Sequence, residues 1–517
     1  MNKLLETLIL YSIPLLSKYI FIFFFGDIEL IIWIDILEDI LFYVFVLNFL
    51  VFFKYKLICN LLLFFYILYF IIETSSFIAV SSNFTSSFMF VLIETNGTEF
   101  KEFLSAYFDV KIVFYVIFMF GLFIILRVEN LKYKITNWFA YSIVSSLLII
   151  GTLKLTGFIE HNAYHNIVRG IYGYKTLHNN YQLSKNNISD SDLVITSNND
   201  VFVVVLGEST NRNHMQLYDY YKNTTPLLES IKDSLYVYNN VISTDVLTLK
   251  AMPKILTSMD NKTGFNPGNI LNIVSVFNAA GYKTFWLSNQ RPISYHDNFI
   301  NKVASSSNYF KFYNYKVDKH ASGYDGIMLS DYKKILNEEG KKVVFIRLLG
   351  THFDYNKRYP KSFSRFKPKD SSTKEKIISD YDNAILYNDY IVYSMLDELR
   401  KKNKKSAFLY FSDHGENVYD QGEFFGRNEA NLKQSMFEIP FIFWGSKTFE
   451  KPTDFVFQSQ RKFMSDHFYE SMGHVFGIMH KDMDVNKSIF SSSFKKRERA
   501  VVNGVNFDEY FLESNEN

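Results

Sequence analysis

Five apolar runs crowd the first third of the chain, at residues 4–25, 31–53, 57–72, 112–126 and 138–153. A helix needs roughly 20 apolar residues to cross a hydrocarbon core. The third and fourth runs reach that length only with their polar flanks. The first is too long, and too closely followed by others, for a cleaved signal peptide. Lys3, Lys54, Lys56, Arg127, Lys132 and Lys134 fall in alternate loops, whereas Asp27, Glu29 and the long segment 73–110 fall in the others. Basic loops stay cytoplasmic, so the N-terminus is expected inside and everything after the fifth run outside. Asp35, Glu38 and Asp39 share one face near the outer end of the second run and are expected at the membrane interface.

Beyond the runs the pattern changes. Residues 156–199 read as a connector, first amphipathic and then an Asn-rich linker. From 200 to 510, buried strands are predicted at 201–206, 284–287, 343–348, 407–411 and 441–444. Helices are predicted at 215–220, 269–280, 324–336 and 377–400. This alternation predicts a largely parallel sheet with helices on both faces. The expected whole is a multi-span α-helical membrane domain (1–155), a connector (156–199) and an α/β/α domain (200–510). The one cysteine, Cys59, lies in an apolar run, so no intrachain disulfide can form. The net charge of +2 argues neither for nor against a nucleic-acid partner, and none is expected.

Open α/β sheets place their chemistry at the carboxyl ends of strands. Glu208 follows the first strand; Asp413 and His414 follow the fourth, within SDHGE (412–416). Two carboxylates and an imidazole suit Zn²⁺ or Mn²⁺.

GESTNR (207–212) with TTPLL (224–228), TLKAMPKILT (248–257), FWLSNQ (285–290), GTHFDYNKRYP (350–360), YDNAILYNDY (381–390), SDHGE and IPFIFW (439–444) together resemble the phosphoethanolamine transferases of the bacterial envelope. These form a branch of the alkaline phosphatase/sulfatase superfamily, and the lack of disulfides resembles its cysteine-poor members. The resemblance implies a metal bound by Glu208, Asp413, His414 and the nucleophile Thr248, with Ser243 and Thr244 as lesser candidates. It implies that His352 serves a second metal or the transferring phosphoryl group, that Asn289 and Gln290 donate to phosphoryl oxygens, and that Glu416 orients His414. Thr95 and Glu99, in ETNGTE (94–99), would hold the head group of the donor lipid. One departure stands out: in GEFFGRNEAN (422–431) relatives generally carry a histidine where this chain has Arg427. Arginine cannot ligate a metal but grips phosphate by a bidentate fork.

The function implied is transfer of phosphoethanolamine from phosphatidylethanolamine, through a phosphothreonine, to lipopolysaccharide (lipid A or a core sugar) outside the bacterial inner membrane. Three other readings of the same residues are a glycerol-phosphate transferase like lipoteichoic acid synthase, a sulfate- or phosphate-ester hydrolase, and a silent envelope-binding protein. The WLSNQ and ETN segments disfavour the first, the five spans the second, and the intact Glu208, Thr248, Asp413 and His414 the third.

Overall fold

The computed structural model describes residues 3–26, 31, 33–52, 56–80, 83–86, 88–89, 92, 109–126, 138–180, 188–261, 270–290, 299–313 and 323–513. Thr95 and Glu99 lie outside the described residues, as do most of the charged loops used to orient the spans. The chain forms two compact units. One comprises Met1–Thr176 with Asn428–Asn431; the other comprises Leu177–Arg427 and Leu432–Asn517.

In the first unit the apolar runs become helices α1 (Lys3–Phe25), α2 (Trp33–Phe52), α3 (Lys56–Val80), α4 (Val110–Leu126) and α5 (Trp138–Thr156). A sixth, α6 (Ala163–Asn180), follows a short 3-10 turn, where the sequence predicts an amphipathic segment. Helices α1 and α3 are each long and apolar enough to cross a membrane. Helix α3 runs eight residues past the predicted end at 72, because Glu73 and Thr74 are buried rather than terminal.

The three acids of α2 are buried inside this unit. Asp39 accepts hydrogen bonds from Tyr19 (2.5 Å) and Tyr69 (2.8 Å), and pairs with Lys18 at 2.7 Å. Glu38 accepts from Tyr69 and Asn162, both at 2.6 Å, and Asp35 lies 2.6 Å from Asn83 Nδ2 and 2.7 Å from His161 Nδ1. Lys18 also stands 4.0 Å from Glu73, so one cation ties α1 to α2 and α3. Their spacing put them on one face correctly. What it could not show is that the other helices carry partners for them.

The second unit is built on a seven-stranded sheet of β1 (Val201–Gly207), β2 (Tyr236–Val237), β3 (Lys283–Ser288), β4 (Tyr309–Phe312), β5 (Lys342–Arg347), β6 (Ser406–Ser412) and β7 (Phe441–Gly445). Their order is β2-β7-β6-β1-β5-β3-β4. Only β7 runs antiparallel to its neighbours, so the sheet is mostly parallel, as the alternation predicts. Strand β1 is buried along its whole length, which suits the β-branched run of a central strand covered on both faces.

On one face Phe202, Val204 and Leu206 pack with α7 (Thr248–Leu256), α8 (Ile273–Ala279) and α11 (Phe468–Phe476). On the other, Val203 and Val205 pack with α9 (Leu329–Asn337) and α10 (Thr373–Arg400). Helix α10 begins where Ser372 accepts from the Glu375 amide, an N-cap that fixes its start. The predicted helix at 215–220 is a single 3-10 turn, Gln216–Tyr218, ended by Asp219 in the left-handed region.

Candidate metal centre

Strands β1 and β6 are parallel neighbours, with Gly207 opposite Ser412. The residues that follow them, Glu208 and Asp413-His414, are therefore delivered side by side at the carboxyl edge. Glu208, Asp413 and His414 are all buried, with one ligand atom from each lying within 4.8 Å of the others.

Much of the surrounding chain serves to hold Glu208. Ser209 adopts φ 57°, a strained conformation for a residue with a side chain. It is held there: Tyr381 OH donates to its carbonyl at 2.8 Å, and Thr351 Oγ1 donates to the carbonyls of both Glu208 and Ser209. Gly350 has φ 57°, and a Cβ on it would come within 2.9 Å of the Glu208 carbonyl oxygen. Gly415 is equally constrained, since a Cβ there would lie 2.2 Å from the Ser435 carbonyl oxygen. This explains the glycine after His414 in the SDHGE motif.

His414 places its Nδ1 2.8 Å from the Gly415 carbonyl. With the proton on Nδ1, Nε2 presents its lone pair to the cluster. The backbone thus orients His414, in place of Glu416. Glu416 instead accepts from Tyr355 OH at 2.8 Å and pairs with Arg427 Nε at 3.1 Å.

Thr248 is the first residue of α7, and its hydroxyl does not cap the helix. Oγ1 lies 3.0 and 3.1 Å from the two Glu208 oxygens and 3.1 Å from His414 Nε2. The hydroxyls of Ser243 and Thr244 are buried without a hydrogen-bond partner and make no such contact.

Arg427 lies over the same cluster. Its Nη1 contacts His414 Nε2 and stands 3.7 Å from Glu208 Oε1. Gln290 Nε2 donates to Glu208 Oε2 at 3.4 Å and to the Leu348 carbonyl at 3.0 Å. Asn289 turns elsewhere, its Nδ2 donating to the Gly323 carbonyl (2.5 Å) and Asp325 (2.9 Å). Asp325 accepts the amides of Leu349 and Gly350, so Asn289 helps anchor the turn before His352.

Arg347, the last residue of β5, is a site residue the sequence reading passed over. Its Nη2 is 3.8 Å from Glu208 Oε2. A cation inside the otherwise apolar run 343–348 was the available signal.

These charges reshape one another. Burial alone would raise the Glu208 carboxyl, but His414 and Arg427 hold it well below the usual carboxylate range. Burial and the Glu208 charge push Asp413 up to about 6. Burial, reinforced by Arg427 and Arg358, pulls His352 down to about 3, leaving a neutral imidazole beside the cluster.

The donors present fit a divalent ion. Asp413 Oδ2 is buried with no hydrogen-bond partner, an arrangement that costs free energy unless something satisfies it. Two carboxylates, an imidazole and a hydroxyl match the ligand types of Zn²⁺.

Residues 200–478 match the sulfatase family. The phosphoethanolamine transferase CptA of Salmonella typhimurium is 30% identical over 477 residues, covering 83% of this chain and 81% of that protein. The C-terminal periplasmic domain of EptC from Escherichia coli, solved in complex with zinc, superposes with a TM-score of 0.58 at 30% identity, covering 61% of this chain and 95% of that one. The integral membrane protein lipooligosaccharide phosphoethanolamine transferase A of Neisseria meningitidis superposes with a TM-score of 0.64 at 19% identity. It covers 83% of this chain and 86% of that one, a likeness of fold that includes the helical part.

Proposed function

The chain belongs to the sulfatase family and, within it, to the phosphoethanolamine transferases; from that premise we propose that it carries phosphoethanolamine from phosphatidylethanolamine to lipopolysaccharide by way of Thr248. The observation that carries this reading is the Thr248 hydroxyl, directed at Glu208 and His414 instead of at its own helix. The reaction takes place at the outer face of the bacterial inner membrane, with the five apolar helices as anchor and the second unit in the periplasm. Lipopolysaccharide as acceptor is supported by the name of the Neisseria relative, which acts on lipooligosaccharide.

Glu208, Asp413, His414 and Thr248 would hold the metal, and the zinc complex of the Escherichia coli domain favours Zn²⁺ over Mn²⁺. Such an ion supplies Lewis acidity toward the hydroxyl and the phosphoryl oxygens.

In the first half-reaction a bond forms between Thr248 Oγ1 and phosphorus, and the bond from phosphorus to the diacylglycerol oxygen breaks. The proton lost from Thr248 Oγ1 balances the one that the diacylglycerol oxygen takes up as it departs. In the second, an acceptor hydroxyl attacks, the Thr248–phosphorus bond breaks, and Thr248 regains its proton. His352, neutral, offers a ring N–H to a phosphoryl oxygen, and Gln290 donates from the other side. Arg427 neutralises charge on the phosphoryl group, standing in for the histidine-based second site of relatives. Thr95 and Glu99 hold the ethanolamine ammonium of the donor.

Mass spectrometry of lipid A and core oligosaccharide, from cells with and without the gene, tests the reading. Phosphoethanolamine-bearing species should disappear with the gene and return with the wild-type copy. An unchanged lipid A and core profile would refute the proposed acceptor.

A further inference from the structure

The geometry points to Arg347 as a phosphoryl-binding residue of this centre, one that grips a non-bridging oxygen opposite Arg427. The inference rests on the phosphoethanolamine-transfer reading and adds to it a contact that the sequence motifs do not contain.

Arg347 stands opposite Leu206 in the ladder between β5 and β1. By strand alternation its side chain shares the face of Phe345, Leu206 and Glu208, which is also the face covered by α7. The side chain is 12% exposed and forms one ion pair among the described residues, with Glu208 at 3.8 Å, while its charge also acts on Asp413. That distance is an ion pair without a hydrogen bond. The guanidinium makes no hydrogen bond to a described residue, and its nitrogens are not among the polar atoms sealed from solvent, so its donors stay open to an incoming oxyanion.

Elsewhere in the same unit a structural arginine spends its donors on the protein: Arg212 donates to the Val241 carbonyl and to Glu438, both at 2.6 Å. A mere counter-ion for Glu208 would be expected to close to hydrogen-bond distance in the same way. Instead the Glu208 oxygens accept from Thr248, and Gln290 also reaches Oε2. Arg347 therefore stands on the Oε2 side and Arg427 on the Oε1 side of the carboxylate that holds the nucleophile. A phosphorus atom joined to Thr248 Oγ1 would carry its non-bridging oxygens between two forks, each suited to phosphate geometry.

The test uses the zinc-loaded full-length protein and inorganic phosphate as probe. Equilibrium dialysis measures phosphate affinity, elemental analysis measures bound zinc, and steady-state kinetics measure transfer. Arg347→Gln should weaken phosphate binding by about 10-fold or more, as expected for losing charge-assisted hydrogen bonds. It should lower turnover while leaving zinc content at the wild-type level, because removing a cation beside a ligand carboxylate does not weaken metal binding. Arg347→Lys should recover part of the phosphate affinity. Phosphate affinity and turnover within twofold of wild type in Arg347→Gln would overturn the inference. So would a loss of zinc in both variants, since that makes Arg347 a support for Glu208, and so would a wild-type protein that binds no phosphate. If the wild type binds phosphate through Arg347 yet transfers no phosphoethanolamine, the functional reading fails and this inference stands.

Discussion

Both units bury clusters of charge, and they do it in opposite ways. In the helical unit, Asp35, Glu38 and Asp39 each have close partners, supplied by Lys18, His161, two tyrosines and two asparagines. Glu73 is the exception, with Oε1 lacking a hydrogen bond. At the candidate metal centre capacity is left over. Asp413 Oδ2 has no hydrogen-bond partner, Arg347 makes only a long ion pair, and Thr248 spends its hydroxyl on the cluster rather than on its helix. A buried charge whose capacity is used up ties elements together. One whose capacity remains is poised for something the protein does not itself contain.

Breaking the satisfied cluster should damage folding. Lys18→Met strands Asp39 and Glu73 without their cation, and losing one partner of a buried pair costs about 3–5 kcal/mol. Cys59, buried in the same unit and the chain's only cysteine, reports on it. Its labelling by a thiol reagent should accelerate at least about 100-fold if opening controls the rate. Adding Asp39→Asn should restore much of the protection. An unchanged labelling rate in Lys18→Met would mean the cluster does not hold the unit together.

Breaking the unsatisfied centre should damage chemistry while sparing folding. Arg427→Ala removes a preorganised charge and should slow transfer by about 10² to 10³, with bound zinc unchanged. Steady-state rates within a factor of two of wild type would remove Arg427 from the reaction.

The same contrast explains what the sequence could reveal. Central strands were legible because burial on both faces leaves a continuous apolar run, as in 201–206. The edge strand Tyr309–Phe312 was not, since it is short and only partly buried. Helix α3 was cut short at Ile72 because Glu73 looks like a terminus until α1 is seen to supply Lys18. Glu208, Asp413, His414 and Thr248 were legible as strand-end and motif residues, and the fold brings all four together. Arg347 was hidden because its place beside Glu208 depends on segments far apart in the chain, and the pairing of Glu416 with Arg427 because it depends on how the loop between them folds back.

The central claim is that Thr248 carries the transferring group. Purified full-length protein, incubated with phosphatidylethanolamine and zinc in the absence of acceptor, should be digested and examined by mass spectrometry. The account predicts one phosphoethanolamine group on Thr248, none in Thr248→Ala, and loss of the group when acceptor is added. A modification on another residue, or normal transfer by Thr248→Ala, would contradict it.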